Sequence, residues 1–190
     1  AEFINDSICR IVYLGSVNYA NHVHTLIHAA ELLQSDSRYR FLIYGDGADR
    51  EQLETYVRDH HLTNVMFKEK RIPLCEVAWV VSHATINIMN YQPKFGHAGV
   101  SSGKMFQYLA ASRPIICNIE IAYDDIITNN NLGIARDITT AEAYADAIRQ
   151  IAALPKAEYD AMCQRVRQTA YQFDYAYLAQ QEIQFIAPKQ

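Results

Sequence analysis

The sequence predicts an α/β domain, a three-layer parallel sheet of about six strands with helices on both faces. Short apolar runs rich in β-branched residues alternate along the chain with segments whose apolar positions recur at helical spacing. Strands alternating with helices in this way imply parallel pairing, with helices covering both sides of the sheet. The chain has 190 residues, half of them hydrophobic and a fifth charged. A single domain of that size buries roughly 70% of its extended-chain surface.

Each element has its own signal. Ile8 to Leu14 is the first strand, and it runs into a turn at Gly15-Ser16. Val23, Leu26, Ile27, Ala30 and Leu33 then mark a helix from about His22 to Gln34. Tyr39 to Tyr44 is the second strand, closed by Gly45-Asp46-Gly47, and Leu53, Tyr56 and Val57 carry a helix to about His60. Asn64 to Phe67 is the third strand. Pro73 suits the start of a helix carrying Val77, Val80 and Val81. Ala84 to Met89 is the fourth strand, Ser102 to Ala111 a helix, and Pro114 to Asn118 the fifth strand. A short helix over Tyr123 to Thr128 and a sixth strand over Leu132 to Ala135 follow. Thr139 or Thr140 caps a helix through Leu154. Ala157 to Thr169 and Tyr175 to Ile186 are helical with no strand between them, so residues 1–170 form the α/β core and residues 171–190 a terminal helix.

Composition narrows the function classes. A net charge of −4 and an isoelectric point near 6.0 give no nucleic-acid footprint. Cys9, Cys75, Cys117 and Cys163 are scattered without zinc spacing, and Cys9 and Cys117 sit in apolar strands as small hydrophobes. A reducing, cytoplasmic compartment follows from that usage. No apolar run approaches the ~18 residues of a membrane span.

Parallel α/β sheets bind ligands at the carboxyl ends of their strands. The loops there are Gly15 to Asn21, Gly45 to Ala48, Lys68 to Ile72, Asn90 to Lys104 and Asn118 to Tyr123. The fourth is the longest, and such loops tend to be functional. Just after it, Ser101 and Ser102 are good N-cap residues, with Lys104 in the first helical turn. A cation opposes the helix dipole there, and a bound anion would account for it; the plainer reading is a solvated Lys on an exposed face.

The other motifs are weak singly. Gly45-Asp46-Gly47 is a tight turn that lacks the third glycine of a dinucleotide fingerprint. Ala98 to Met105 nearly matches a phosphate loop, but Met105 stands where a magnesium-binding hydroxyl belongs. His22, His24 and His28 read as a polar helix face, since no carboxylate motif accompanies them to make a metal site. His60-His61 reads as a helix end, and Tyr91 and His97 as either ligand contacts or loop packing. Trp79 reads as core or helix packing.

The run SSGKMFQYLAASRPII, residues 101–116, resembles the donor-binding segment of GT-B glycosyltransferases, S-P-x-K-x-x-E-Y-x-A-x-G-x-P-V-I. Lys104, Tyr108, Ala110, Pro114 and Ile116 match. Gln107 replaces a glutamate that binds the nucleotide ribose in many family 4 members, and Gly99 replaces another. Ser101-Ser102-Gly103-Lys104 with Gln107 is also similar to bacterial exopolysaccharide glucuronosyltransferases, where glutamine is usual. The Gly45 turn resembles the G-D-G turn of the same domains.

The resemblance implies a Rossmann-like domain, the C-terminal half of a GT-B fold, that binds a UDP-sugar or a GDP-sugar without a metal. It implies base and ribose contacts from Arg71, Tyr91 and Gln107. The diphosphate would lie against the backbone at Ser102-Gly103 and the Lys104 side chain, which would stabilise the leaving charge, and Gly15, Ser16, Gly45 and Ser101 would be further donor-binding residues. An Arg and a Lys that clamp the diphosphate in many relatives are replaced by Ser16 and by Asn21 or His22. The terminal helix resembles the one that crosses back to the acceptor-binding N-terminal domain, expected outside this chain. The implied whole enzyme is a hexosyl- or glucuronosyltransferase of bacterial surface-polysaccharide synthesis. Its acceptor would be a glycan or lipid-linked, and the enzyme peripheral at the inner face of the membrane, whereas this part alone is expected to be inactive. Two other classes stay open: a non-catalytic interaction domain, and an α/β domain for another phosphorylated ligand.

Overall fold

A computed structural model describes residues 7–92, 103–119 and 125–186. Six strands form one parallel sheet: β1 (Cys9–Leu14), β2 (Tyr39–Tyr44), β3 (Val65–Phe67), β4 (Ile86–Met89), β5 (Ile115–Cys117) and β6 (Gly133–Ala135). Their spatial order is β3-β2-β1-β4-β5-β6. Ile11 pairs with Phe41 on one side and Ile86 on the other, and Ile88 pairs with Ile116. The central strands are apolar on alternate residues of both faces because both faces are covered.

Eight helices complete the described chain: α1 (Val23–Leu32), α2 (Arg50–Asp59), α3 (Leu74–Ser82), α4 (Gly103–Ala110), α5 (Ile126–Asn129), α6 (Ala141–Ala152), α7 (Lys156–Ala170) and α8 (Tyr175–Ile186). On one face Ile11, Tyr13, Phe41 and Ile88 pack with Leu26 and Ile27 of α1 and Tyr144 and Ile148 of α6. On the other, Met89, Ile115 and Cys117 pack with Val81 of α3, Tyr108 and Leu109 of α4 and Val166 of α7. The predicted fold class is therefore the one observed.

Helix ends differ from the periodicity by a residue or more, for local reasons. A 3-10 turn over Tyr19–Asn21 and a left-handed His22 (φ 47°) delay α1 to Val23. Asp125 accepts hydrogen bonds from the N–H groups of Ile127 and Thr128 and so caps α5 at Ile126, while Tyr123, the expected start, lies outside the described residues. Of the two candidate caps for α6, Thr140 accepts from Ala143 N–H at 3.2 Å. His61 (φ 53°) follows α2, and Leu62 N–H reaches back to Val57 C=O at 2.9 Å, a helix end of the Schellman type. Trp79 is half exposed on α3 and stacks on His83, a surface contact and not a core one. No residue of α8 is buried, and Tyr175, Ile183, Phe185 and Ile186 are exposed along it. No helix among the described residues is long and apolar enough to cross a membrane.

Candidate functional site at the strand-order reversal

Strand order reverses between β1 and β4, and the chain leaves these strands in opposite directions, so a crevice opens at their carboxyl ends. The loops around it are tied to one another by the main chain. Gly15 N–H donates to Tyr44 C=O (3.0 Å), Val17 N–H to Asp46 C=O (2.8 Å) and Gly45 N–H to Glu69 C=O (3.1 Å). This close lacing explains Gly45: its φ is 127°, a conformation L side chains rarely adopt, and a Cβ there would collide with the Gly15 carbonyl oxygen.

Lys104 enters this crevice from the second position of α4. It is not the solvated surface Lys of the plainer reading. Its stem lies so close to Gly15 that a Cβ on that residue would sit 2.7 Å from Cε and 3.2 Å from the Tyr13 hydroxyl, and would collide with Nζ. The ammonium is 5.0 Å from the centre of the Tyr13 ring. Tyr13 is itself fixed, because its hydroxyl donates to Ser16 C=O at 2.7 Å. Burial draws the Lys104 pKa from 10.5 down to about 8, since desolvation disfavours the charged form. The result is a desolvated cation at a helix start and a strand end, an arrangement suited to anion binding.

The structure joins Gly15, Gly45 and Lys104 by direct contact. Ser16 is exposed beside them and Gly103 opens α4, where a Cβ would meet nothing within 4 Å. Gln107 is half-buried on α4, one turn beyond Lys104 and on the same face of the helix. Tyr91 is half-buried just past β4 and packs against the core beside Met89, while Arg71 lies exposed between β3 and α3. Arg71, Tyr91 and Gln107 each lie just beyond the carboxyl end of a strand or on α4, with Arg71 after β3, two strands away from β1. Ser101, Ser102, Gly99 and His97 lie outside the described residues.

Of the two positions after β1 where the resemblance expects cations, the first holds the exposed Ser16, and at the second, Asn21 or His22, the structure shows neutral contacts. Asn21 donates its amide N–H to Asn18 Oδ1 at 2.9 Å, and His22 Nδ1 lies 3.1 Å from the Thr25 hydroxyl. Burial, with His24 close by, lowers the His22 pKa and disfavours its charged form. His24 and His28 do share a face, with ring centroids 6.1 Å apart. No group of three His, Cys, Asp or Glu among the described residues could hold a metal ion.

Several residues that shape the crevice were not singled out by motif. Asn118 forms a two-way clamp on Tyr91: its amide oxygen accepts from Tyr91 N–H (2.8 Å) and its amide N–H donates to Tyr91 C=O (2.7 Å). Asn90, fully buried, donates to His22 C=O (3.2 Å) and accepts from the Tyr144 hydroxyl (2.6 Å). Arg50, 6% exposed, donates to the carbonyls of Gly45 and Lys68, the latter at 2.7 Å, and pairs with Glu54 at 2.6 Å. It therefore fixes the carboxyl ends of β2 and β3 together. A cation at the first residue of a helix, against the dipole, is the signal that could have found Arg50, as it found Lys104.

The same architecture occurs in solved structures. HepE from Anabaena in complex with UDP-glucose superposes with a TM-score of 0.75 at 13% identity, over 94% of this chain and 48% of that one. A TarM mutant from S. aureus in complex with fondaparinux, α-GlcNAc-glycerol and UDP gives 0.73 at 18% identity, over 95% and 36%. The C-terminal domain of LpcC from Francisella tularensis, a glycosyl transferase group 1 family protein, gives 0.70 at 16%, over 85% and 84%. The chain thus spans about a third to a half of the length of TarM and HepE, and its fold is that of a GT-B C-terminal domain. No curated protein matches the sequence. A family model, however, matches residues 9–153, a stretch that runs from the first strand through α6 and takes in the whole described crevice, and by that match the chain belongs to the glycosyl transferases group 1.

Proposed function

We propose that this chain is the donor-binding half of a glycosyltransferase and holds a nucleotide sugar by its diphosphate at the crevice between β1 and β4. The observation that carries this reading is the half-buried Lys104 side chain packed against Gly15, at the strand-order reversal. Departing diphosphate carries negative charge that must be stabilised, and a desolvated cation at a helix start does this more strongly than one in water. Lys104 is accordingly the residue assigned to leaving-group stabilisation, with no metal needed. UDP-sugar is the first candidate donor, in keeping with the UDP and UDP-glucose complexes of TarM and HepE, and GDP-sugar the second. Arg71, Tyr91 and Gln107 are the residues assigned to base and ribose. The acceptor, a glycan or a lipid-linked sugar of bacterial surface-polysaccharide synthesis, would bind through an N-terminal domain outside this sequence. The working enzyme would then be cytoplasmic or peripheral at the inner face of the membrane.

Calorimetric titration with UDP and GDP tests the reading. We expect saturable UDP binding, weakened in Lys104→Ala by about 1.5–3 kcal/mol, the usual worth of a hydrogen bond to a charged group. UDP binding of equal strength in that variant would sink the assignment of the diphosphate to Lys104.

A further inference from the structure

A single aromatic ring meets both the loop after β1 and the cation of α4. Tyr13 is paired in register with Ile43 of β2 and Ile88 of β4, next to the carboxyl end of β1, and it is fully buried. A phenol in an apolar sheet needs a partner for its hydroxyl, and this one reaches forward along the chain to donate to Ser16 C=O at 2.7 Å. That bond, together with the packing of the core around it, fixes the plane of the ring.

Lys104 comes to this ring from α4. The helix is docked by Tyr108, one turn beyond Lys104 on the same face, whose hydroxyl donates to Ile88 C=O at 3.2 Å. The Lys104 ammonium then lies 5.0 Å from the Tyr13 ring centre, inside the ~6 Å over which the negative face of an aromatic ring attracts a cation. Gly15 keeps the approach open, since a Cβ there would meet the Tyr13 hydroxyl at 3.2 Å and collide with Nζ. Burial pushes the Tyr13 phenol well above its ordinary pKa of 10, with Tyr108 and Tyr91 nearby adding to the shift. The Tyr108 and Tyr144 phenols are raised by burial in the same way. Tyr13 therefore stays neutral, and what it offers the ammonium is the face of its π system and not a phenolate oxygen. Desolvation by itself favours the neutral amine, and a four-carbon stem has many ways to turn away. A fixed ring face opposes both, because it attracts the charged form and gives the stem one place to end.

We propose that Tyr13 is a positioning residue whose ring face holds the Lys104 ammonium, charged and in place for the donor diphosphate. It acts through Lys104 and not by contact with the ligand. The assignment rests on the donor-binding reading of Lys104 above.

Two measurements on the same variants test it. The first follows the Lys104 titration in the ligand-free protein by lysine side-chain NMR, the signal being identified by its loss in Lys104→Ala. We expect Tyr13→Phe, which keeps the ring, to leave that titration in place, and Tyr13→Leu, which removes it, to cut the proton affinity of Lys104 about three- to tenfold. The second is calorimetry with UDP. Tyr13→Leu should weaken UDP by a similar factor, about three- to tenfold, Tyr13→Phe should bind it nearly as the parent does, and Tyr13→Leu should cost nothing further in a Lys104→Ala background. If Tyr13→Leu fails to fold, pentafluorophenylalanine in place of Tyr13 keeps a ring of similar shape with the polarity of its face reversed, and should lower the proton affinity of Lys104 at least as far. A Lys104 titration that is unchanged or raised once the ring is lost would overturn the proposal. So would a loss of UDP affinity that persists in full in the Lys104→Ala background, since Tyr13 would then act by another route. A parent protein that binds no UDP would count against the donor-binding reading instead, and the ligand-free titration would still decide whether Tyr13 holds Lys104.

Discussion

Lys104 is a residue whose partial burial costs stability. Its folded pKa, about 8, lies below the ordinary 10.5. Below pH 8 it is charged in both folded and unfolded chains, and the desolvation cost is fully present. Between about 8 and 10.5 the unfolded chain holds the extra proton, so stability rises with pH across that window and levels off above it. Lys104→Met, which keeps the stem and removes the charge, should therefore stabilise the ligand-free protein on the order of 1–3 kcal/mol at pH 7, with a gain that shrinks toward pH 10.5. Urea midpoints at several pH values would measure this. An anionic ligand has the opposite linkage: it favours the ammonium, so UDP affinity should fall as pH rises through 8, and the fall should vanish in Lys104→Met. A substitution that stabilises the fold while weakening the ligand is the trade-off expected of a binding residue, and a merely structural Lys would not show it.

At the level of the elements, the loops around the crevice are set by a few backbone positions. Gly45 holds φ 127° against the Gly15 carbonyl, so Gly45→Ala should cost at least about 1–3 kcal/mol, read by thermal or urea unfolding. The end of α4 shows the reverse case. Ser112, standing where the GT-B pattern carries a glycine, adopts the left-handed conformation at φ 58°, with its N–H donating to Leu109 C=O at 3.0 Å. A side chain there is strained by about 1–2 kcal/mol, part of which glycine's larger unfolded-state entropy offsets. Ser112→Gly should thus raise stability by up to about 1 kcal/mol, and an unchanged or lower urea midpoint would contradict this account. Asn118 fixes the chain after β4 from the next strand over. Asn118→Ala removes both bonds to Tyr91 and should cost about 1–3 kcal/mol, with faster amide exchange at Tyr91.

The whole molecule divides by the ends of its sheet. The carboxyl ends carry the laced glycine loops and Lys104, the amino ends a cavity whose lining includes Arg10 and Arg113. A parallel sheet makes this separation possible, since every strand exits at the same end and every crossover returns to the other. If UDP occupies the crevice, UDP at 100 times its Kd should stabilise the protein by about 2.7 kcal/mol against urea, and by far less at the same concentration in Lys104→Ala. Along α8 the apolar residues Tyr175, Ile183, Phe185 and Ile186 stay outside the core, which is consistent with its being the least integrated element of the described chain.

Much of this was legible in the sequence, because the signals concerned are local or periodic. All six strands and their helices follow from apolar runs, helical spacing and turn residues, and the carboxyl-end loops follow from parallel topology alone. The helix start at Val23 was misplaced by a residue because it depends on a left-handed His22, a geometry a hydrophobic period does not encode. Lys104 could be singled out as a cation at a helix start, but its burial against Gly15 and Tyr13 could not. Those residues are some ninety positions apart, and only closing the sheet brings them together. The same holds for Asn118 on Tyr91, for Asn90 between His22 and Tyr144, and for Arg10 and Arg113 at the other end. The sequence by itself determined which segments are strands and which are helices, and that the sheet is parallel, because those signals are periodic and local. Only the tertiary structure decided strand order and which polar side chains lose their water, because both depend on residues far apart in the chain.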